Sequence, residues 1–88
     1  MRIAFAPDGW ADYIHWQETD RKILVRINDL IREMVRHPFE GIGKPEPLKG
    51  TLEGMWSRRI TQEHRIVYAV VGTGEDQTLV ILQCRYHY

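Results

Sequence analysis

The run TDRKILVRINDLIREMVRHP, residues 19–38, decides how the rest of the chain is read. Ile23, Ile27, Leu30 and Met34 recur every three or four positions, and Leu24, Ile31 and Val35 widen the stripe. That spacing predicts an amphipathic helix with one buried face. Thr19-Asp20 can cap its start, with Asp20 favourable at the positive end of the helix. His37-Pro38 closes it, because proline disfavours helical backbone for the residue before it.

Working backwards, Trp10, Tyr13, Ile14 and Gln17 also fall at helical spacing as far as Glu18. Pro7-Asp8 can open that helix, since proline loses nothing at the first helical position. Arg2–Phe5 before it reads as a short strand.

Working forwards, Pro38, Gly41, Gly43, Pro45, Pro47 and Gly50 crowd residues 38–52, which are therefore expected to hold no regular structure. A loop of this length in so small a domain is often functional. Three strands are expected after it, Met55–Ile60, Arg65–Val71 and Thr78–Tyr86, turned by Thr61–His64 and Gly72–Gln77. Short connections between them argue for antiparallel pairing. The order is β-α-α-β-β-β: an α+β fold with a small antiparallel-rich sheet and a helical hairpin on one face. Strict alternation puts Gln83, Arg85 and His87 on one side of the last strand and Leu82, Cys84 and Tyr86 on the other, with Arg65 beside Val67 and Ala69 on the middle strand. Which side faces the core depends on the register.

Eighty-eight residues make one domain, 1–88, with a thin core. With 43% hydrophobic and 27% charged residues the composition is that of an ordinary globular protein. No apolar run approaches the roughly 20 residues of a membrane span, and the apolar start is too short for a signal peptide. The single cysteine, Cys84, excludes an internal disulfide and fits a reducing cytoplasm. Twelve basic and twelve acidic side chains balance overall. Outside residues 72–77, however, the second half carries Lys44, Lys49, Arg58, Arg59, Arg65 and Arg85 against Glu46, Glu53 and Glu63. That suits a focused phosphate site better than a broad DNA-binding face.

RNA carries its own nucleophile, the 2′-hydroxyl beside the scissile phosphate. An enzyme must add a base for that proton, an acid for the 5′-oxygen, and positive charge for the phosphorane. Glu46, Lys49, Arg58, Arg59, Arg65 and His87 form a sufficient set, with no metal and no cofactor. Neither H-E-x-x-H, H-x-E…C-x-x-C, G-x-x-x-x-G-K-[ST] nor G-x-S-x-G occurs. Three of them also have a plainer reading: Glu46 as a solvated loop carboxylate, Arg65 as an ion-pair partner of Glu63 or Glu46, His87 as an end residue.

At these residues the chain resembles a known family, the YoeB (Txe) toxins of bacterial toxin–antitoxin systems, within the wider RelE group. The resemblance runs through Tyr13…Trp16-Gln-Glu-Thr-Asp20, Pro38-Phe-Glu-Gly41, Gly43-Lys-Pro-Glu-Pro-Leu-Lys49, Gly54…Trp56-Ser-Arg-Arg-Ile-Thr61, Glu63-His-Arg65, Val67-Tyr-Ala-Val70 and Cys84-Arg-Tyr-His-Tyr88. It implies a microbial-RNase-like α+β fold and cleavage of mRNA in the ribosomal decoding site by 2′-hydroxyl attack. Glu46 would be the general base, Arg65 the transition-state stabiliser and His87 the general acid, with Lys49, Arg59 and Tyr88 binding or orienting the RNA. It further implies a YefM-like antitoxin as partner and a homodimer. The Gly72–Gln77 hairpin is longer than the family leads us to expect.

The remaining prominent residues carry plain expectations. His64 is structural, His15 and His37 face solvent, and Trp10 and Trp16 pack the helical hairpin. Cys84 is a small buried hydrophobe, and Trp56 is either core or a platform for a base. A non-catalytic RNA- or ribosome-binding module on the same scaffold is the competing function. Operator DNA is expected to be contacted only through the antitoxin complex, since nothing here looks like a DNA-reading element.

Overall fold

Pro7 and Asp20 place the two helices. In a computed structural model, which describes residues 1–86, β1 (Arg2–Phe5) gives way at Pro7 to α1 (Pro7–Thr19). Asp20 ends that helix and begins the next. Its backbone N–H donates to the Trp16 carbonyl, while its carboxylate accepts from the N–H groups of Lys22 and Ile23 at the head of α2 (Arg21–Arg36). The apolar stripe of α2 is buried as expected: Ile27, Leu30, Ile31 and Met34 pack with Trp16 of α1 and with Ile66, Tyr68, Leu79, Ile81 and Cys84. No helix among the described residues is long and apolar enough to cross a membrane.

The sheet has five strands in the order β1-β5-β4-β3-β2. Strands β3 (Trp56–Arg59), β4 (Arg65–Val71) and β5 (Thr78–Gln83) form the expected antiparallel meander, and β1 runs parallel to β5 at the far edge. Two expectations are corrected. The loop is not wholly irregular, because Glu46–Pro47 forms β2, antiparallel to β3 through Glu46↔Ser57 and Pro47↔Trp56. Proline is tolerated there because β2 is an edge strand and no further strand needs its missing donor. The last strand stops at Gln83 rather than Tyr86, and its alternation is broken. Val67 pairs with Gln83 but Tyr68 with Ile81, so Leu82 is an extra residue in β5. That bulge changes the parity: Leu79, Ile81 and Cys84 all enter the core, while Leu82 lies on the other face.

Loop 37–43 is held from inside by Arg58. This side chain is fully buried, on the helix side of β3. It donates from Nε to the Tyr68 hydroxyl (3.1 Å), from Nη1 to the Ile42 carbonyl (3.1 Å), and from Nη2 to the carbonyls of His37 and Glu40 (2.9 Å). His37 is the C-cap of α2, so the cation meets an orphan carbonyl at the negative end of the helix. Tyr68 completes the cluster by donating to the Pro38 carbonyl (2.6 Å). Gly43 closes the loop at φ +83, where a Cβ would press on Leu30 and Arg58, and its carbonyl accepts from the Arg59 N–H. Arg58 is thus part of the core and leaves the candidate phosphate set. Trp56 is on the same side, its ring 4.8 Å from that of Phe39, so it is a packing residue rather than a base platform.

Removing the guanidinium strands several buried carbonyls at once. Arg58→Met should therefore lower stability by about 2–4 kcal/mol and speed amide exchange across residues 37–43. Unchanged denaturant midpoint and exchange would show that the loop holds itself.

Candidate active site

The helices cover one face of the sheet, and the ionisable residues gather on the other. Ladder partners share a face, so Glu46, Ser57, Val67 and Gln83 form one row across β2, β3, β4 and β5. Arg59 and Arg65 face each other one step along on the same side. Trp56, Arg58, Ile66 and Tyr68 take the alternate positions and point to the core. Given strand and residue spacings, the Cα atoms of Glu46 and Arg65 lie about 12 Å apart. Two long side chains can close that distance around one phosphate. Glu46 and Arg59 are exposed, and Arg65 is half-buried.

Arg65 is held without being neutralised. Its Nη1 donates to the carbonyls of Thr61 (2.8 Å), His64 (3.1 Å) and Gln62 (3.2 Å), which fixes the guanidinium over the β3–β4 turn. Among the described residues it forms no ion pair with Glu63 or Glu46; the arginine–carboxylate pair present is Arg32–Asp29. The plainer ion-pair reading of Arg65 therefore does not hold. Lys49 is exposed, three residues beyond Glu46 and just ahead of a 3-10 turn at Gly50–Leu52. Beside these residues a groove of about 460 Å³ runs over Val67, Leu82 and Gln83, walled by Leu52 and Met55 on one side and residues 6–8 on the other. Among the described residues, no three or more His, Cys, Asp or Glu side chains cluster closely enough to hold a metal ion.

The segment after β5 is tied to α1 and to the β3–β4 turn. Cys84 donates its N–H to the Asp12 carboxylate (3.0 Å), and its carbonyl accepts from Trp16 Nε1 (2.8 Å). Tyr86 accepts through its carbonyl from the Arg65 N–H (3.0 Å). The last described residue is thus beside Arg65. His87 and Tyr88, named from the sequence as acid and RNA-orienting group, lie outside the described residues.

A family model, YoeB-like toxin of bacterial type II toxin-antitoxin system, matches residues 5–88. The chain belongs to that family. A YoeB toxin of Streptomyces coelicolor is 58% identical to it over 88 residues, the full length of both. Among solved structures, a YoeB/ParE toxin from Agrobacterium tumefaciens superposes with a TM-score of 0.95 at 55% identity, covering all of both chains. YoeB of Staphylococcus aureus, solved as a dimer, superposes with a TM-score of 0.86 at 44% identity, covering 100% of this chain and 98% of its own. The same S. aureus toxin is also solved as a heterotetramer with YefM, with the same score, identity and coverage. The chain is therefore a toxin of a type II toxin–antitoxin system.

On the open face, Glu46, Arg59 and Arg65 are expected from the sequence, whereas Ser57, which stands opposite Glu46 and is almost wholly buried, is not. A lone serine carries no signal until the two-residue strand β2 supplies the register. Asp12 is likewise invisible as an anchor of residue 84, whereas His64, expected to be structural, holds residue 86.

Cys84 is no nucleophile. Burial, with a further push from the Asp12 carboxylate, raises its thiol to about 12. The unfolded thiol ionises near 8.5, so rising pH favours the unfolded chain above that point. Between pH 8 and 9, before the phenol of Tyr68 begins to ionise in the unfolded chain, stability should fall by up to about 1.4 kcal/mol per pH unit. Urea midpoints of Cys84→Ala should lack this slope. Equal slopes in both proteins would contradict the assignment.

Proposed function

We propose that this toxin is a ribosome-dependent mRNA endonuclease that cuts by attack of the RNA's own 2′-hydroxyl. The observation that carries the reading is the shared sheet face: a carboxylate on β2 and two arginines on β3 and β4, uncovered by helices and bordered by a groove.

The 2′-oxygen attacks phosphorus while its proton passes to the Glu46 carboxylate. Arg65, already oriented by three turn carbonyls, donates to the non-bridging oxygens as negative charge develops. Its remaining N–H donors supply this contact. The bond from phosphorus to the 5′-oxygen breaks, and His87 supplies the proton to that oxygen. The products are a 2′,3′-cyclic phosphate and a 5′-hydroxyl. Tyr86 stands next to Arg65, and His87 follows it directly in the chain, which supports the acid's proximity. Lys49, Arg59 and Tyr88 bind or orient the message, and no metal or other cofactor takes part in the steps.

The toxin would act in the cytoplasm, where translating ribosomes are. A YefM-like antitoxin would neutralise it, as suggested by the S. aureus YoeB–YefM complex, and the dimeric S. aureus YoeB suggests a homodimer here. Operator DNA would be reached only through the antitoxin complex.

Mapping message 5′ ends after induction tests this directly. New ends bearing a 5′-hydroxyl should appear with the wild-type chain. Glu46→Ala, Arg65→Ala and His87→Gln should each slow their formation by about 100-fold or more while remaining folded. Protein freed of divalent ions by chelation before it is added to ribosomes should cut as before. Translation arrest with intact messages would instead identify a binding module that blocks the ribosome.

A further inference from the structure

We propose that His64 is a positioning residue for cleavage: it clasps the Tyr86 peptide, the last one before His87 in the chain. The inference rests on the reading of His87 as the general acid.

Tyr86 adopts φ +62, the left-handed region, which a non-glycine residue occupies only when its surroundings hold it there. Both of its backbone polar groups are held by one turn. Its N–H donates to His64 Nδ1 at 2.8 Å, and its carbonyl accepts from the N–H of the next residue, Arg65, at 3.0 Å. The His64 ring is fixed in turn, edge-on to Trp16 at 4.8 Å and 5.8 Å from the Tyr86 ring. Trp16 also holds the Cys84 carbonyl, so one tryptophan steadies both the clasp and the segment it grips. The same turn carbonyls orient the Arg65 guanidinium. One turn thereby holds both the Arg65 guanidinium and the peptide that leads into His87.

The bond has a chemical requirement. An imidazole accepts a hydrogen bond only through an unprotonated nitrogen, so His64 must be neutral with its proton on Nε2. Protonated, Nδ1–H would point at the Tyr86 N–H and the clasp would open. The charged and titratable groups nearby are Glu63 and Arg65 on its own turn, Arg85 and Tyr86 on the gripped segment, and on α1 Asp12 and His15, the latter edge-on to Trp16 at 4.7 Å. His64 lies between Trp16 and Tyr86 and needs no contact with substrate to act.

His64→Asn sets an amide oxygen close to where Nδ1 was and cannot be protonated; His64→Leu removes the acceptor. Three readouts apply: amide exchange at Tyr86 in the free protein, kcat and KM for cleavage on programmed ribosomes between pH 6 and 8, and the thermal midpoint. The expected result for the leucine variant is rapid Tyr86 exchange and a kcat lower by about 10- to 100-fold, with KM changed less than about threefold. The asparagine variant should restore protection and most of kcat, and should lose activity less than wild type on acidification. Wild-type kcat in the folded leucine variant, no rescue by asparagine at matched stability, or Tyr86 protection equal in all three proteins would each overturn the proposal. A leucine variant too unstable to assay leaves the decision to the asparagine variant's pH profile, where an acid limb identical to wild type would overturn it. Failure of the catalytic reading is separately visible: His87→Gln would cut normally, or the wild type would not cut, whatever the state of Tyr86.

Discussion

Arg58 is the only fully buried charge on the helix side of the sheet among the described residues, and it is surrounded by carbonyls rather than a carboxylate. Burying a cation with no acid beside it is unfavourable unless every donor finds an acceptor and local dipoles oppose the charge. Here the C-terminal end of α2, the carbonyls of Glu40 and Ile42 and the Tyr68 hydroxyl meet that need. The requirement runs both ways. A glycine- and proline-rich segment with no core of its own is folded against α2 because Arg58 must be satisfied. That segment then delivers Glu46–Pro47 to the edge of β3. The position of the carboxylate on the open face is thus a consequence of an interaction on the opposite face.

This coupling explains which parts of the molecule could be read from residue pattern. Helix α2, its Asp20 cap and the three-stranded meander follow from local signals: apolar spacing, a capping carboxylate, turn residues. The short strand β2 could not be foreseen, because nothing local distinguishes Glu46–Pro47 from the surrounding loop; only pairing to Ser57 and Trp56 makes it a strand. The end of β5 is hidden from residue pattern for a similar reason. Alternation is reliable until a bulge intervenes, and the extra residue Leu82 is set by a long-range register rather than by composition. Of the basic residues, Arg59 and Arg65 reached the open face and Arg58, one position from Arg59, did not. Strand parity decides between neighbours, and parity needs the register.

The candidate site was legible as chemistry before it was legible as geometry. Glu46, Arg59 and Arg65 could be named from residue type and family resemblance, yet their meeting on one face depends on two ladders and an anchored loop. What residue types could not convey is how firmly the parts are held. Arg65 is tethered by three carbonyls of its own turn, and the chain beyond β5 by Asp12, Trp16 and His64. Such second contacts involve ordinary residues whose role appears only once distant segments are brought together. They allow a thin 88-residue domain to hold charged groups in fixed places over one side of a small sheet.

The central claim is that this face lets RNA supply its own nucleophile. A message carrying a single 2′-deoxy nucleotide on the 5′ side of the bond to be cut, presented in the ribosomal A site, tests it most directly. The account predicts that cleavage at that bond disappears while the message still occupies the ribosome and still binds the toxin. Cleavage at the unmodified rate would contradict it, since the nucleophile would then have to come from elsewhere.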